Sequence, residues 1–133
     1  MSLLEVNGLN SYYGDSHILF DVGLKVEKNE VVALLGRNGA GKSTTLKSLM
    51  GVVKPRAGSI TLDGEQIAGK PSYTIAQHGM QLVHEERRVF GSLNVEENLV
   101  LAGLTAKSKW SLDRIYAMFP RLKERRGSRG TDL

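Results

Sequence analysis

The stretch that decides the fold is GRNGAGKSTTLKSLMG, which runs from Gly36 to Gly51. Gly36 and Gly41 have the spacing G-x-x-x-x-G-K-[ST], with Lys42 and Ser43 directly after the second glycine. The glycines let the backbone turn tightly with its N–H groups inward, and a helix that begins near Lys42 adds its positive dipole end. The lysine supplies a compact cation, and the serine hydroxyl is a hard oxygen ligand suited to Mg²⁺. The stretch therefore predicts a loop that holds phosphate groups.

The residues on both sides of this loop favour the same interpretation over a glycine-rich surface turn. Val31–Leu35 is a continuous apolar run that is β-branched at its start. Such a run predicts a strand buried on both faces, as in a parallel sheet. After the loop, Leu46, Leu49 and Met50 have the spacing of a helix face that packs on a core.

The other residues up to Val83 are predicted to form strands and one short helix. Strands are predicted over Leu3–Leu9 and His17–Glu27, a hairpin turns at Asp63-Gly64, a helix covers Pro71–Gly79, and a short buried strand covers Met80–Val83.

Helix signals dominate the last third. Asn94 followed three residues later by Glu97 is a capping box, and Ser111 caps a second predicted helix, Leu112–Phe119, which stops at Pro120. The order of elements predicts a mixed α/β domain with an antiparallel portion.

Composition limits the kinds of site that are possible. The chain has 133 residues, 41% hydrophobic and 24% charged, as in one ordinary soluble domain or a piece of a larger protein. It has no cysteine, which excludes disulfides and thiolate metal sites, and His17, His78 and His84 lack metal-ligand spacing. We read no signal peptide at the N-terminus and no apolar run long enough to span a bilayer.

Two further features have competing interpretations. The net charge of +4 owes much to the basic cluster Arg121–Gly130, which could meet nucleic acid or a membrane surface. No aromatic residues interleave with the charges of this cluster, which favours a solvated helix end or tail. No nucleic-acid partner is therefore predicted. A ring of Tyr12 or Tyr13, beside Gly14, could stack on a purine base or simply pack half-buried.

Three segments follow one another along the chain: YYG, VVALLGRNGAGKSTTLKSLMGVVKPRAGSITLDGEQI and LVHEERRVFGSLNVEENL. In this order they closely resemble the N-terminal half of an ABC transporter ATPase subunit. In detail they look like the ATP-binding subunits of the branched-chain (hydrophobic) amino acid uptake family, with the related urea uptake subunits next. The resemblance implies a P-loop NTPase fold of ABC type, with a parallel core strand and an antiparallel β portion. It places the β portion and loop in residues 3–92 and the start of a helical subdomain in residues 93–133, with the C-terminal half absent.

The resemblance also implies roles for single residues. Tyr13 matches the aromatic residue that stacks on adenine, Lys42 the phosphate-binding lysine, and Ser43 a magnesium ligand. Glu85 stands at the Q-loop position, where a carboxylate could also accept a water on magnesium. The implied cofactors are ATP and Mg²⁺. The implied nucleotide-binding residues are Tyr13, Gly36, Asn38, Gly39, Ala40, Gly41, Lys42, Ser43 and Thr44.

Two positions in the Q-loop region depart from the family pattern. His84 and Gly91 stand where the family has proline, and we expect both changes to loosen the loop.

The family's signature sequence, its acidic Walker B strand and its switch histidine have no counterpart among these residues. No catalytic residue is therefore assigned. Phosphoryl transfer depends on a group that orients the attacking water, so we expect the chain as given to bind nucleotide weakly and to hydrolyse little.

The resemblance implies an energy-coupling subunit of an importer, cytoplasmic and peripheral on the inner face of the membrane. Its partners would be permease subunits, contacted near Glu85–Phe90, and a second ATPase subunit. One alternative is a naturally truncated nucleotide-binding or regulatory module. Another is a soluble ABC ATPase of a different process. A GTPase is a weaker reading, because no Asn-Lys-x-Asp run is present.

Overall fold

The computed structural model describes residues 2–86, 88–104 and 110–133. The chain divides into two compact units, Met1–Val83 and His84–Leu133. No helix among the described residues is long and apolar enough to cross a membrane.

The first unit is built on an antiparallel sheet with the strand order β2-β1-β3-β4. Its elements are β1 (Leu4–Tyr13), β2 (Ser16–Val26), α1 (Lys42–Leu49), β3 (Ala57–Leu62), β4 (Glu65–Gln66) and α2 (Ser72–Gln77). The two predicted N-terminal strands and the predicted short helix are confirmed. The hairpin is also confirmed, since Asp63 and Gly64 both have positive φ, as a tight two-residue turn requires.

A β-bulge in β1 sets which side chains reach the core. Leu4 and Val6 are buried with exposed residues after each, but the next buried residue is Leu9, three positions on. The register with β2 shifts between Val6 and Leu9, and Gly8 has a φ of 60°. The extra residue keeps Leu9 and Ser11 on the buried face, because side chains alternate with a period of two.

The core of the first unit lies between this sheet and the two helices. Leu49 and Met50 at the end of α1 are buried in it, as predicted, but Leu46 is exposed. The members of the core cluster are Leu4, Val6, Leu9, Leu19, Leu49, Met50, Ile60, Ile67 and Ile75.

Two predicted strands are absent from the sheet. Val31–Leu35 has no strand pairing among the described residues, and Val31 is 97% and Leu35 88% exposed. The prediction of a strand buried on both faces is therefore wrong for this structure. A strand of that kind needs hydrogen-bonded neighbours on both sides, and the described sheet uses other segments. Met80–Val83 is likewise unpaired, although Met80 and Leu82 pack against the core.

The second unit is helical, as its capping signals predicted. It contains α3 (Val95–Gly103), α4 (Leu112–Met118), α5 (Pro120–Glu124) and a short 3₁₀ turn, Gly130–Asp132. The capping box is present, with the Glu97 N–H donating to Asn94 Oδ1 over 2.8 Å. Ser111 caps α4 by accepting from the Arg114 N–H. Pro120 ends α4 as expected and starts α5, because proline fits the first turn of a helix.

Close packing explains why residue 91 is a glycine, which the sequence alone did not show. A Cβ built at Gly91 would lie 2.7 Å from Thr131 Cγ2, and one at Gly130 would lie 2.7 Å from the Phe90 carbonyl oxygen. The Thr131 N–H donates to the Gly91 carbonyl over 3.3 Å. Glycine here permits two backbone segments to approach closely, so the expected loosening of the loop does not describe this position.

Candidate functional site

The glycine-rich loop lies in the first unit and is exposed from residue 36 to residue 40. Gly39 and Gly41 have φ values of 84° and 101°, which L-residues with a side chain rarely adopt. The Ala40 N–H donates to the Arg37 carbonyl over 3.1 Å, which closes the turn. A Cβ added at Gly41 would lie 2.9 Å from Leu19 Cδ2, so the end of the loop presses against β2.

Lys42 folds back over the loop that precedes it. Its Nζ donates to the carbonyl oxygens of Gly36 and of Arg37, the second over 3.1 Å. The ammonium group is therefore held by two loop carbonyls at the start of α1. A mobile four-carbon stem lets such a cation exchange these partners for a bound anion.

The N-terminus of α1 points unpaired donors at the same loop. The Thr45 N–H makes the first helical bond, to the Gly41 carbonyl over 2.8 Å, and the Thr45 hydroxyl donates to the same oxygen. The N–H groups of Lys42, Ser43 and Thr44 precede that bond and have no partner within the helix. The first turn of α1 contains no acidic residue, so its field favours an anion.

Ser43 and Thr44 differ in exposure although they are neighbours. Ser43 is exposed, which leaves its hydroxyl oxygen open to solvent at the helix start. Thr44 is 6% exposed, and its hydroxyl donates to the phenol oxygen of Tyr13 over 3.4 Å. The structure thus brings Tyr13, from the end of β1, beside the first turn of α1. The Tyr13 side chain remains 47% exposed.

Tyr12 is held apart from this site. Its ring stacks on His17 with centroids 4.2 Å apart, and the Arg56 guanidinium lies 4.1 Å from its centroid. Of the two interpretations of the tyrosine pair, packing describes Tyr12, whereas Tyr13 has an exposed ring beside the loop.

The other predicted site residue, Glu85, belongs to the second unit and is exposed. Its proposed part in the metal site stays a prediction. Arg87, inside the predicted partner contact Glu85–Phe90, lies outside the described residues.

A comparison with protein families identifies the chain. The family described as "ABC transporter" matches residues 19–130. The chain belongs to the ABC transporter family. The matched residues include the glycine-rich loop, α1 and the capping box of α3.

Individual ABC transporter proteins match over most of the chain. The high-affinity branched-chain amino acid transport ATP-binding protein BraG of Pseudomonas aeruginosa is 44% identical over 92% of this chain and 54% of its own length. BraF, a second high-affinity branched-chain amino acid transport ATP-binding protein of that organism, is 41% identical over 75% of this chain and 39% of its own length. The chain thus spans about half the length, or less, of these relatives.

A solved structure of an ATP-binding subunit of an ABC transporter superposes with a TM-score of 0.83 and 34% identity. The match covers 99% of this chain and 56% of that one. The mixed α/β fold with an antiparallel sheet is therefore the fold of an ABC transporter nucleotide-binding protein, as the resemblance implied.

Sequence reasoning missed two contacts made by the elements around this ABC transporter loop. Ser11 and Ser48 form a buried hydrogen bond between β1 and α1, and Arg56 contacts the turn after Tyr13. Neither contact could be predicted from neighbouring residues. A serine in a strand and an arginine in a KPRAG turn are common at protein surfaces, and only the fold brings their partners to them. The burial of Ser11 could have been predicted only from the bulge at Gly8, which changes the alternation of buried and exposed residues in β1.

Proposed function

We propose that the chain binds ATP with Mg²⁺ through its glycine-rich loop, as part of an energy-coupling subunit of an ABC importer for branched-chain amino acids. The observation that carries this proposal is the arrangement of Lys42, the free N–H groups of α1 and the exposed Tyr13 ring around one loop. The names of BraG and BraF support the choice of transported substrate.

Each part of the loop has a task toward the phosphates. The backbone around Gly36, Asn38, Gly39, Ala40 and Gly41 would present N–H groups to phosphate oxygens, and the Ala40 N–H would first leave the Arg37 carbonyl. Lys42 leaves the two loop carbonyls and donates to the β- and γ-phosphate oxygens, where charge-assisted bonds are stronger than those it gives up. The N–H groups of Ser43 and Thr44 add the positive end of the helix dipole.

The residues present also fit a magnesium ion. The Ser43 hydroxyl is exposed at the helix start, and a Cβ built at Gly39 would meet no atom within 4 Å, so the mouth of the loop is open. When bound, Mg²⁺ neutralises phosphate charge and is held with most of its waters. Ser43 supplies a hydroxyl oxygen to it.

Tyr13 is proposed to hold the adenine. Its ring is half exposed beside the first turn of α1, so a base attached to loop-bound phosphates can stack on it. Base–aromatic stacking is worth about 1–3 kcal/mol per base in related systems.

The complete importer subunit is proposed to lie on the cytoplasmic face of the membrane. It would dimerise with a second ATPase subunit and contact permease subunits near Glu85–Phe90. ATP hydrolysis would then drive uptake. The 133 residues of the chain contain no acidic residue that the resemblance matches to a water-orienting group. We therefore propose that this chain binds Mg-ATP and hydrolyses it at a very low rate.

Thermal unfolding and turnover together test this function. Mg-ATP in large excess should raise the Tm of the purified chain, since a ligand that binds only the folded state stabilises it, and should raise the Tm of Lys42→Ala clearly less. Phosphate release should not exceed that of Lys42→Ala. An unshifted Tm contradicts ATP binding, and turnover clearly above the Lys42→Ala level contradicts the low activity.

A further inference from the structure

We propose that Arg56 is a positioning residue for adenine binding, which acts by fixing the turn that carries Tyr13. The inference rests on the proposed ATP binding and deepens it. It assigns to a residue outside the glycine-rich loop a part in selecting the base rather than the phosphates.

Arg56 holds the end of β1 by three separate contacts. Its Nη2 donates to the Gly14 carbonyl over 2.6 Å. Its guanidinium lies over the Tyr12 ring, 4.1 Å from the centroid. Its backbone N–H donates to the Asn10 carbonyl over 2.9 Å. A planar guanidinium can donate in its plane and stack by its face at once, which a lysine cannot do.

The Tyr12 ring is itself one layer of a stack that crosses the β1–β2 hairpin. Tyr12 and His17 are nearly parallel, with an interplanar angle of 9°, and the His17 and Phe20 rings follow at 3.8 Å between centroids. His17 Nε2 lies 3.0 Å from Asn10 Oδ1, which fixes the imidazole. Arg56 covers the outer end of this stack, so its loss would free one face of Tyr12.

Tyr13 lies between the two groups that Arg56 contacts. Consecutive strand residues point to opposite faces, so a Tyr12 ring fixed on one side directs Tyr13 to the other, toward Thr44. Gly14 has a φ of 57°, and a Cβ built there would meet nothing within 4 Å. The bond from Arg56 to the Gly14 carbonyl comes from outside the β1–β2 hairpin, so it restrains the turn that directly follows Tyr13.

This role differs from a general effect of positive charge. The guanidinium is engaged with Gly14 and Tyr12, so we expect an effect on the base and none on the phosphates. Mg-ATP and Mg-tripolyphosphate separate the two, because only ATP has an adenine to stack.

The experiment measures the affinity of both ligands by calorimetry for wild type, Arg56→Ala, Tyr13→Ala and the double variant. Arg56→Ala should weaken Mg-ATP binding about fivefold and change Mg-tripolyphosphate binding less than about twofold, since only part of the stacking energy is lost. In the Tyr13→Ala background Arg56→Ala should cost nothing further, because Arg56 acts through that ring. Arg121→Ala removes an equal charge from a side chain 91% exposed and should change neither affinity.

Equal loss of both ligands in Arg56→Ala, or additive losses in the double variant, would overturn the inference. If Arg56→Ala does not fold, Arg56→Lys replaces it: weaker Mg-ATP binding with unchanged Mg-tripolyphosphate supports the role, and unchanged Mg-ATP binding overturns it. A wild-type chain that binds neither ligand refutes the proposed ATP binding itself. A wild-type chain that binds Mg-ATP no better than Arg56→Ala refutes only the part assigned to Arg56.

Discussion

The hydroxyl oxygens of Ser11 and Ser48 lie 2.8 Å apart, and both side chains are almost completely buried. The bond joins β1, which ends in Tyr13, to α1, which begins at Lys42. Because one element carries the proposed adenine-stacking ring and the other follows the phosphate loop, this buried pair helps to fix the two halves of the proposed site relative to each other.

Removing one of these hydroxyls should destabilise the chain. Ser11→Ala or Ser48→Ala leaves the other hydroxyl buried without its partner, at a cost of about 1–3 kcal/mol. The double variant should lose less than the sum of the two single losses, because it leaves no orphan. Urea unfolding of all four proteins measures this coupling. Strictly additive losses would show that the two hydroxyls do not depend on each other.

The ring of Tyr13 should matter more for ATP than its hydroxyl. Tyr13→Ala removes the stacking surface and should weaken Mg-ATP binding by about tenfold. Tyr13→Phe keeps the ring, loses only the long bond from Thr44, and should bind almost as wild type. Fluorescent-nucleotide displacement distinguishes the two. Equal loss in both variants would assign the effect to the hydroxyl instead.

Gly41 should not tolerate a side chain. Its φ is 101°, and an added Cβ would lie 2.9 Å from Leu19 Cδ2. Gly41→Ala should therefore lower the free energy of unfolding by about 1–3 kcal/mol and weaken Mg-ATP binding, since the loop must shift. Gly127→Ala is the matched control, because a Cβ there meets nothing within 4 Å and its φ is not in the left-handed region. If the two variants are equally stable, the loop is more adaptable than described.

A paired substitution tests the close packing of Gly91. Gly91→Ala brings a Cβ to 2.7 Å from Thr131 Cγ2, and a β-branched side chain cannot easily rotate away. We expect a loss of about 1–3 kcal/mol on unfolding. Thr131→Ser removes that methyl group and should restore most of the stability in the Gly91→Ala background. Failure of the second change to rescue would place the clash elsewhere.

Features encoded within a few residues were predictable from the sequence. The capping box of Asn94 and Glu97, the Ser111 cap and the Asp63-Gly64 turn depend on local hydrogen bonds and backbone angles, and each is present. The glycine-rich loop before a helix is of the same kind.

Features that depend on distant partners were not predictable. Val31–Leu35 has the composition of a buried strand, but a strand forms only where neighbours supply hydrogen bonds, and none of the described strands pairs with it. Ser11 with Ser48 and Arg56 with Gly14 are separated by 37 and 42 residues, so only the folded sheet brings them together.

The most direct test of ATP binding by the glycine-rich loop is the dissociation constant of Mg-ATP, measured by calorimetry for wild type, Lys42→Ala and Lys47→Ala. Both variants lose one positive charge from α1, but of the two lysines it is Lys42 that donates to the loop carbonyls. We predict saturable binding by wild type and Lys47→Ala, with affinity at least about tenfold lower in Lys42→Ala. Equal affinity of Lys42→Ala and Lys47→Ala, or no binding by wild type, would contradict the claim that this loop holds the phosphates of ATP.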